Sequence, residues 1–128
     1  MKLILVRGLP GSGKTTYAKS LGIFHVEADM YFISDGVYRF DPRYLNTAHH
    51  WCQKTAIAAM RKGMDVVVSN TFSQMWEMQP YVEAANDEHY DWKVVHCTGT
   101  FTSVHKLPRD IMENMRNRWE AIAGEITR

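Results

Sequence analysis

Eight consecutive residues constrain this chain most: Gly8-Leu9-Pro10-Gly11-Ser12-Gly13-Lys14-Thr15. They fit the spacing G-x-x-x-x-G-K-[ST], and their flanks fit as well. Leu3-Ile4-Leu5-Val6 is the apolar run expected of a buried parallel strand, and Thr15 to Leu21 can open a helix. Strand, tight loop and helix, in that order, form the context in which this spacing cradles phosphate. The glycines let successive backbone N–H groups turn inward as an anion-binding nest. The helix N-terminus adds its partial positive charge. Lys14 offers a mobile point charge to the β- and γ-phosphates, and Thr15 offers a hydroxyl to Mg²⁺. Gly8, Pro10, Gly11, Ser12, Gly13, Lys14, Thr15 and Thr16 are therefore the expected nucleotide-binding residues.

The rest of the chain reads as strands alternating with helices. Phe24 to Ala28 is a second short strand ending at Asp29, and Ser34-Asp35-Gly36 marks a turn. Asp41-Pro42 starts a helix running to about Lys62, with Ala48, Cys52, Ala56, Ala59 and Met60 on one face and Gly63 at its end. Val66-Val67-Val68 is the third strand. Ser73 caps a helical segment from Gln74 to Glu77, and Pro80 begins another that ends near Ala85 or Asn86. Trp92 to Cys97 is the fourth strand. Pro108 opens a last helix whose inner face carries Ile111, Met112, Met115, Trp119 and Ile122. This order predicts one α/β domain over residues 1–128, a three-layer α/β/α P-loop NTPase or kinase fold with a mostly parallel sheet of four or five strands. Ligands of such sheets bind at the carboxyl ends of the strands, so the glycine-rich loop, Asp29 and Ser69-Asn70-Thr71 should meet in one cleft.

Composition narrows the partners. Fifteen basic and 14 acidic residues leave a formal charge of +1, which exerts no global pull on nucleic acid or anionic lipid. That balance argues against a long nucleic-acid footprint but permits a single terminal nucleotide. Two cysteines, Cys52 and Cys97, suit free thiols in a reducing compartment. With no apolar stretch of membrane-spanning length and no signal-peptide layout, the expectation is a cytoplasmic protein with no membrane partner.

Within the expected cleft, Asp29 is the candidate base, able to accept a proton from an attacking hydroxyl. Asn70 stands where many P-loop proteins keep a metal-associated aspartate, and Asp65 lies at the wrong end of its strand. Mg²⁺ is thus expected to rest on Thr15, the phosphates and water, with Asp29 in its outer shell. Asn70, Thr71 and Arg39 are candidate substrate contacts. Arg109 and Arg116 are the arginines placed to meet a phosphoryl group or the nucleotide. His49 and His50 are no metal pair, because adjacent helix residues diverge by about 100°. Trp51, Trp76 and Trp119 read as core residues. No Asn-Lys-x-Asp guanine selector is present, so ATP is the default nucleotide.

Arg7 through Thr16 resembles the opening of the AAA_33-type P-loop kinases, a group that includes polynucleotide 5′-kinase domains and a Nedd-binding branch. Asp29-Met30-Tyr31-Phe32 resembles the family's Asp-Asp-Tyr segment. Likeness continues through Gly36 to Pro42, Ala48 to Gln53, Val68 to Thr71 and Trp76 to Tyr81. The resemblance implies ATP- and Mg²⁺-dependent phosphoryl transfer to a hydroxyl, on a nucleic-acid end, a nucleoside or a small molecule. It assigns phosphate and metal to Lys14 and Thr15 and the general base to Asp29. Met30 replaces the second acid and Phe32 stands where polynucleotide kinase has a substrate-binding arginine. The stretch from Thr98 to Lys106 is short for the arginine-rich lid, which leaves Lys106 and Arg109 to deputise. The alternative is a nucleotide-binding module, non-catalytic or slow, that acts through a protein partner.

Overall fold

A computed structural model describes residues 1–100 and 109–128, with backbone alone at 109 and 110. Lys106 and Pro108, and the side chain of Arg109, therefore lie outside the described residues. The first strand, β1, spans Lys2–Arg7 and leads through the glycine-rich loop into α1, Lys14–Ser20. Strand β2 is Phe24–Val26, and a 3₁₀ turn over Ala28–Phe32 follows it. Strands β3 (Ile33–Ser34) and β4 (Val37–Tyr38) form a small hairpin. Its two-residue turn has positive φ at both Asp35 (51°) and Gly36 (77°), the backbone that suits a tight hairpin's twist. After a 3₁₀ turn at Pro42–Tyr44 come α2 (Leu45–Arg61), β5 (Val66–Asn70), α3 (Met75–Asp87), β6 (Asp91–His96), α4 (Arg109–Asn117) and β7 (Ile126–Thr127).

The main sheet has the order β2-β5-β1-β6-β7, and every pairing in it is parallel. Alternation along the strands sorts the core into two layers. Leu3, Leu5, Val66, Val68 and Val94 pack with the buried faces of α2 and α3. Ile4, Val6, Val67 and Val95 pack on the opposite face with Ala18 of α1, and with Tyr17, Leu21 and Ile23 at its margin. All three valines of β5 are buried, because both faces of this interior strand are covered. The α2 face is the expected one: Ala48, Cys52, Ala56, Ala59 and Met60 are its buried residues. Both cysteines are free and buried. No helix among the described residues is long and apolar enough to cross a membrane.

Several expectations are corrected. Strand β2 stops at Val26, so Asp29 sits in the 3₁₀ turn rather than at a strand end. Pro80 does not start a helix; it lies inside α3, which runs unbroken from Met75. Proline there removes one backbone hydrogen bond and costs on the order of 3 kcal/mol. Burial of Met78, Tyr81, Val82 and Ala85 along one face offsets that cost. Trp76 is not core: it is 70 % exposed on the outer side of α3. The last helix ends at Asn117, so Trp119 and Ile122 lie beyond it, and Ile111 is exposed. The chain leaves the helix because other partners claim it. The Glu120 N–H donates to the Ser73 carbonyl at 2.7 Å, and the Glu120 carbonyl accepts from Arg7 at 2.8 Å. From there the chain returns to the sheet, where β7 pairs with β6 as a fifth strand.

Candidate nucleotide site

The loop between β1 and α1 takes the conformation its glycines permit. Gly11 and Gly13 have φ of 81° and 87°, a backbone that side chains disfavour, and Gly13 forms the N-cap of α1. Gly8 is required for space instead. A Cβ there would collide with Ser12 Oγ and lie 2.9 Å from the Cys97 carbonyl oxygen at the end of β6. The loop is thus clamped between strand ends, with the Gly8 N–H donating to the Thr71 carbonyl at 3.3 Å. Ser12 Oγ, against Gly8, is buried without a hydrogen-bond partner among the described residues. Thr16, the outermost of the expected phosphate residues, is exposed.

Lys14 and Thr15, in the first turn of α1, face two carboxylates. Burial pulls the Lys14 ammonium below lysine's ordinary value, while Glu27, Asp29 and Cys97 push it back up. Lys14 is therefore a partly desolvated cation held between acids, suited to meet a more highly charged anion. Thr15 Oγ1 donates to Glu27 Oε2 at 2.8 Å, and Ser69 Oγ donates to the same oxygen at 2.8 Å. Sequence reasoning passed over Glu27. Only the adjacency of β2 and β5, with Val26 opposite Val68, brings it level with Ser69 and under Thr15.

Asp29 is exposed beside this group, and the Tyr38 hydroxyl donates to its Oδ1 at 3.3 Å. Burial, followed by the negative charge of Asp29, pushes the Tyr38 phenol up to about 12, so it remains a donor at neutral pH. Asn70 is engaged at both ends of its amide. Its Oδ1 accepts from the Ala28 N–H at 2.9 Å, and its Nδ2 donates to Cys52 Sγ at 3.6 Å. Asn70 thus braces the backbone that carries Asp29. Thr71 is half-buried behind the loop, and Arg39 is exposed on the segment after β4. On the far side of the loop a cavity of about 410 Å³ is lined by Pro10, Ser12, Cys97, Met112 and Arg116. The structure therefore brings Arg116 to the glycine-rich loop and leaves Arg39 at the rim of the opposite side.

Behind the loop lies a second residue that sequence reasoning gave no role. Arg7 is fully buried. Its Nε donates to the Phe72 carbonyl at 2.9 Å, and Nη2 donates to the carbonyls of Ser73 (3.1 Å) and Glu120 (2.8 Å). Nη1 pairs with Glu125 at 2.8 Å, and the guanidinium lies 3.9 Å from the centre of the Trp119 ring. His96 also stacks on Trp119, with 4.7 Å between ring centres. Phe72 itself holds a left-handed φ of 46°, a strained backbone for a bulky residue, at a cost of about 1–3 kcal/mol. Arg7 on its carbonyl and Tyr81 against its ring, with 5.7 Å between ring centres, hold it there.

Two histidines near the site set a pH dependence. Burial lowers the pKa of His25, against the pull of Glu27, and Lys19 lowers it further. Burial also lowers that of His49, against Glu77 and Asp29. A histidine depressed in the fold binds its proton more readily when unfolded. Its contribution to stability is complete above the unfolded value of about 6.5 and is lost as pH falls from there through the lower folded value. Thermal melts are expected to give a lower Tm at about pH 5 than at about pH 7, and a His25→Asn/His49→Asn variant to flatten the difference. An unchanged slope in that variant would assign the acid sensitivity to other groups.

A parallel sheet with helices on both faces, a glycine-rich loop entering a helix, and Lys14 and Thr15 beneath it define a P-loop protein with a kinase-like fold. The chain belongs to the AAA_33 family, described as an AAA domain, whose model matches residues 3–100. It is 41 % identical over 95 residues to human NEDD4-binding protein 2, an alignment covering 69 % of this chain but only 5 % of that protein. Among solved structures, it superposes on a chain of the Pnkp1/Rnl/Hen1 RNA repair complex with a TM-score of 0.66 at 21 % identity, covering 91 % of this chain and 43 % of that one. A sugar kinase from Janibacter sp. HTCC2649 matches with a TM-score of 0.67 at 15 % identity, over 100 % of this chain and 83 % of that one. At such identities the structural likeness establishes the fold.

Proposed function

We propose that this chain binds MgATP and transfers the γ-phosphate to a hydroxyl acceptor, either a polynucleotide 5′ end, a nucleoside or a small molecule. The observation that supports this reading is that Asp29 lies close enough to Lys14 to act on its charge, beside the glycine-rich loop. In the reaction, the Asp29 carboxylate accepts the acceptor's hydroxyl proton. The acceptor oxygen bonds to the γ-phosphorus, the bond to the bridging oxygen breaks, and ADP leaves. Lys14 and the loop N–H groups hold the phosphates, and the metal supplies further positive charge when bound. Arg116 lies on the cavity side of the loop, where it can meet the nucleotide. Arg109, at the start of α4, is the remaining candidate for the transferring group.

On the Asp29 side, exposed Tyr31, Ile33, Val37 and Phe40 offer apolar surface for a base or sugar face, with Arg39 among them. The structural relatives include a chain of an RNA repair complex and a sugar kinase, so the acceptor panel spans nucleic-acid ends and small hydroxyl compounds. The test is transfer of labelled phosphate from MgATP to a panel of 5′-OH oligonucleotides, nucleosides and sugars. Transfer to at least one class is expected, and Lys14→Ala is expected to abolish it. ATP binding by calorimetry with no transfer to any of them would favour a nucleotide-binding module that acts through a protein partner. No binding at all would overturn both.

A further inference from the structure

Resting on that nucleotide-binding reading, we propose that Glu27 is the protein carboxylate of the nucleotide's Mg²⁺ site, in the role that an aspartate at the end of β5 would otherwise fill. Strand β5 ends in Ser69 and Asn70, neither of which carries charge, and the Asn70 amide is committed to Ala28 and Cys52. Among the described residues no three His, Cys, Asp or Glu side chains gather into a metal site of their own. A metal here depends on the phosphates plus a few oxygen donors, which is how Mg²⁺ is ordinarily held. Thr15 Oγ1 and Glu27 Oε2, 2.8 Å apart, are hard oxygen donors of that kind.

The surroundings hold Glu27 in place. Ser69 Oγ donates to Oε2, and His25 Nε2 lies 2.6 Å from Ser69 Oγ and 3.7 Å from Glu27 Oε2. Lys14 stands within electrostatic reach. Asp29, by contrast, is exposed and takes its hydrogen bond from Tyr38 rather than from Thr15. The two acids thus divide the work: Asp29 faces the acceptor, and Glu27 faces the hydroxyl that accompanies the metal. The negative charge has moved one strand outward, from β5 to the end of β2, and a serine hydroxyl on β5 now supports it.

Glu27→Gln keeps a hydrogen-bond acceptor for Thr15 and Ser69 and removes the charge. Calorimetric titration with ADP, in Mg²⁺ and in EDTA, is the test. The wild-type chain is expected to bind ADP more tightly with Mg²⁺. Glu27→Gln should lose about tenfold or more of that metal-dependent gain. Its affinity in EDTA should be unchanged or higher, since a negative charge near the phosphates is gone. Adding Ser69→Asp to Glu27→Gln, which returns a carboxylate to β5, should restore the gain. Full Mg²⁺ dependence in Glu27→Gln would overturn the assignment while leaving nucleotide binding intact. Failure of the wild-type chain to bind ADP in either condition would overturn both readings together.

Discussion

Asp29→Asn is expected to lower phosphoryl transfer by about 10²- to 10⁴-fold while leaving ATP affinity nearly unchanged. Asparagine matches aspartate in shape and keeps an oxygen that can accept from the Tyr38 hydroxyl, so the 3₁₀ turn over Ala28–Phe32 should stand. What it lacks is the capacity to take a proton. Because Asp29 is exposed rather than locked behind the loop, the loss should fall on turnover and not on nucleotide binding. The measurement pairs transfer of labelled phosphate with calorimetric ATP binding on the same preparation. Wild-type transfer by the variant would remove Asp29 from the base role. A parallel loss of ATP affinity would instead make it part of the phosphate cradle.

Arg7→Met should be the most destabilising single change near the site. It leaves three carbonyls, those of Phe72, Ser73 and Glu120, without their donor, and leaves Glu125 without the guanidinium. Breaking a buried ion pair by removing one partner costs about 3–5 kcal/mol, which corresponds to a fall in Tm of roughly 10–20 °C for a domain of this size. Methionine retains much of the apolar contact with Trp119, so the loss reports on the polar network rather than on a cavity. Arg7→Lys should recover only part of it, because an ammonium cannot present the guanidinium's fork to several acceptors at once. Thermal melts of the three proteins decide the matter. A Tm within a few degrees of wild type for Arg7→Met would mean that water replaces the guanidinium without penalty.

The residues read correctly from sequence are those whose signal is local. The nest glycines act on their own backbone, and Gly11 and Gly13 have the positive φ that such a loop needs. The buried face of α2 follows from spacing along one helix, and the Asp35-Gly36 turn from the conformations those two residues tolerate. The errors arise where distant partners override a local preference. Pro80 stays inside α3 because burial on one face outweighs a missing N–H. The last helix ends at Asn117 because Ser73 and Arg7, both far from it in sequence, claim the backbone of Glu120.

By itself, then, the sequence determined a glycine-rich loop between a strand and a helix and an alternating α/β order. Each depends on residues near one another in the chain. The tertiary structure decided which side chains meet at that loop. Pairing β2 beside β5 delivers Glu27 to Thr15 and Ser69. Returning the C-terminal segment to β6 buries Arg7 under Trp119 and Glu125. Both acts join residues far apart in the chain, and only the closing of the sheet sets their distances. No spacing along the sequence could encode them.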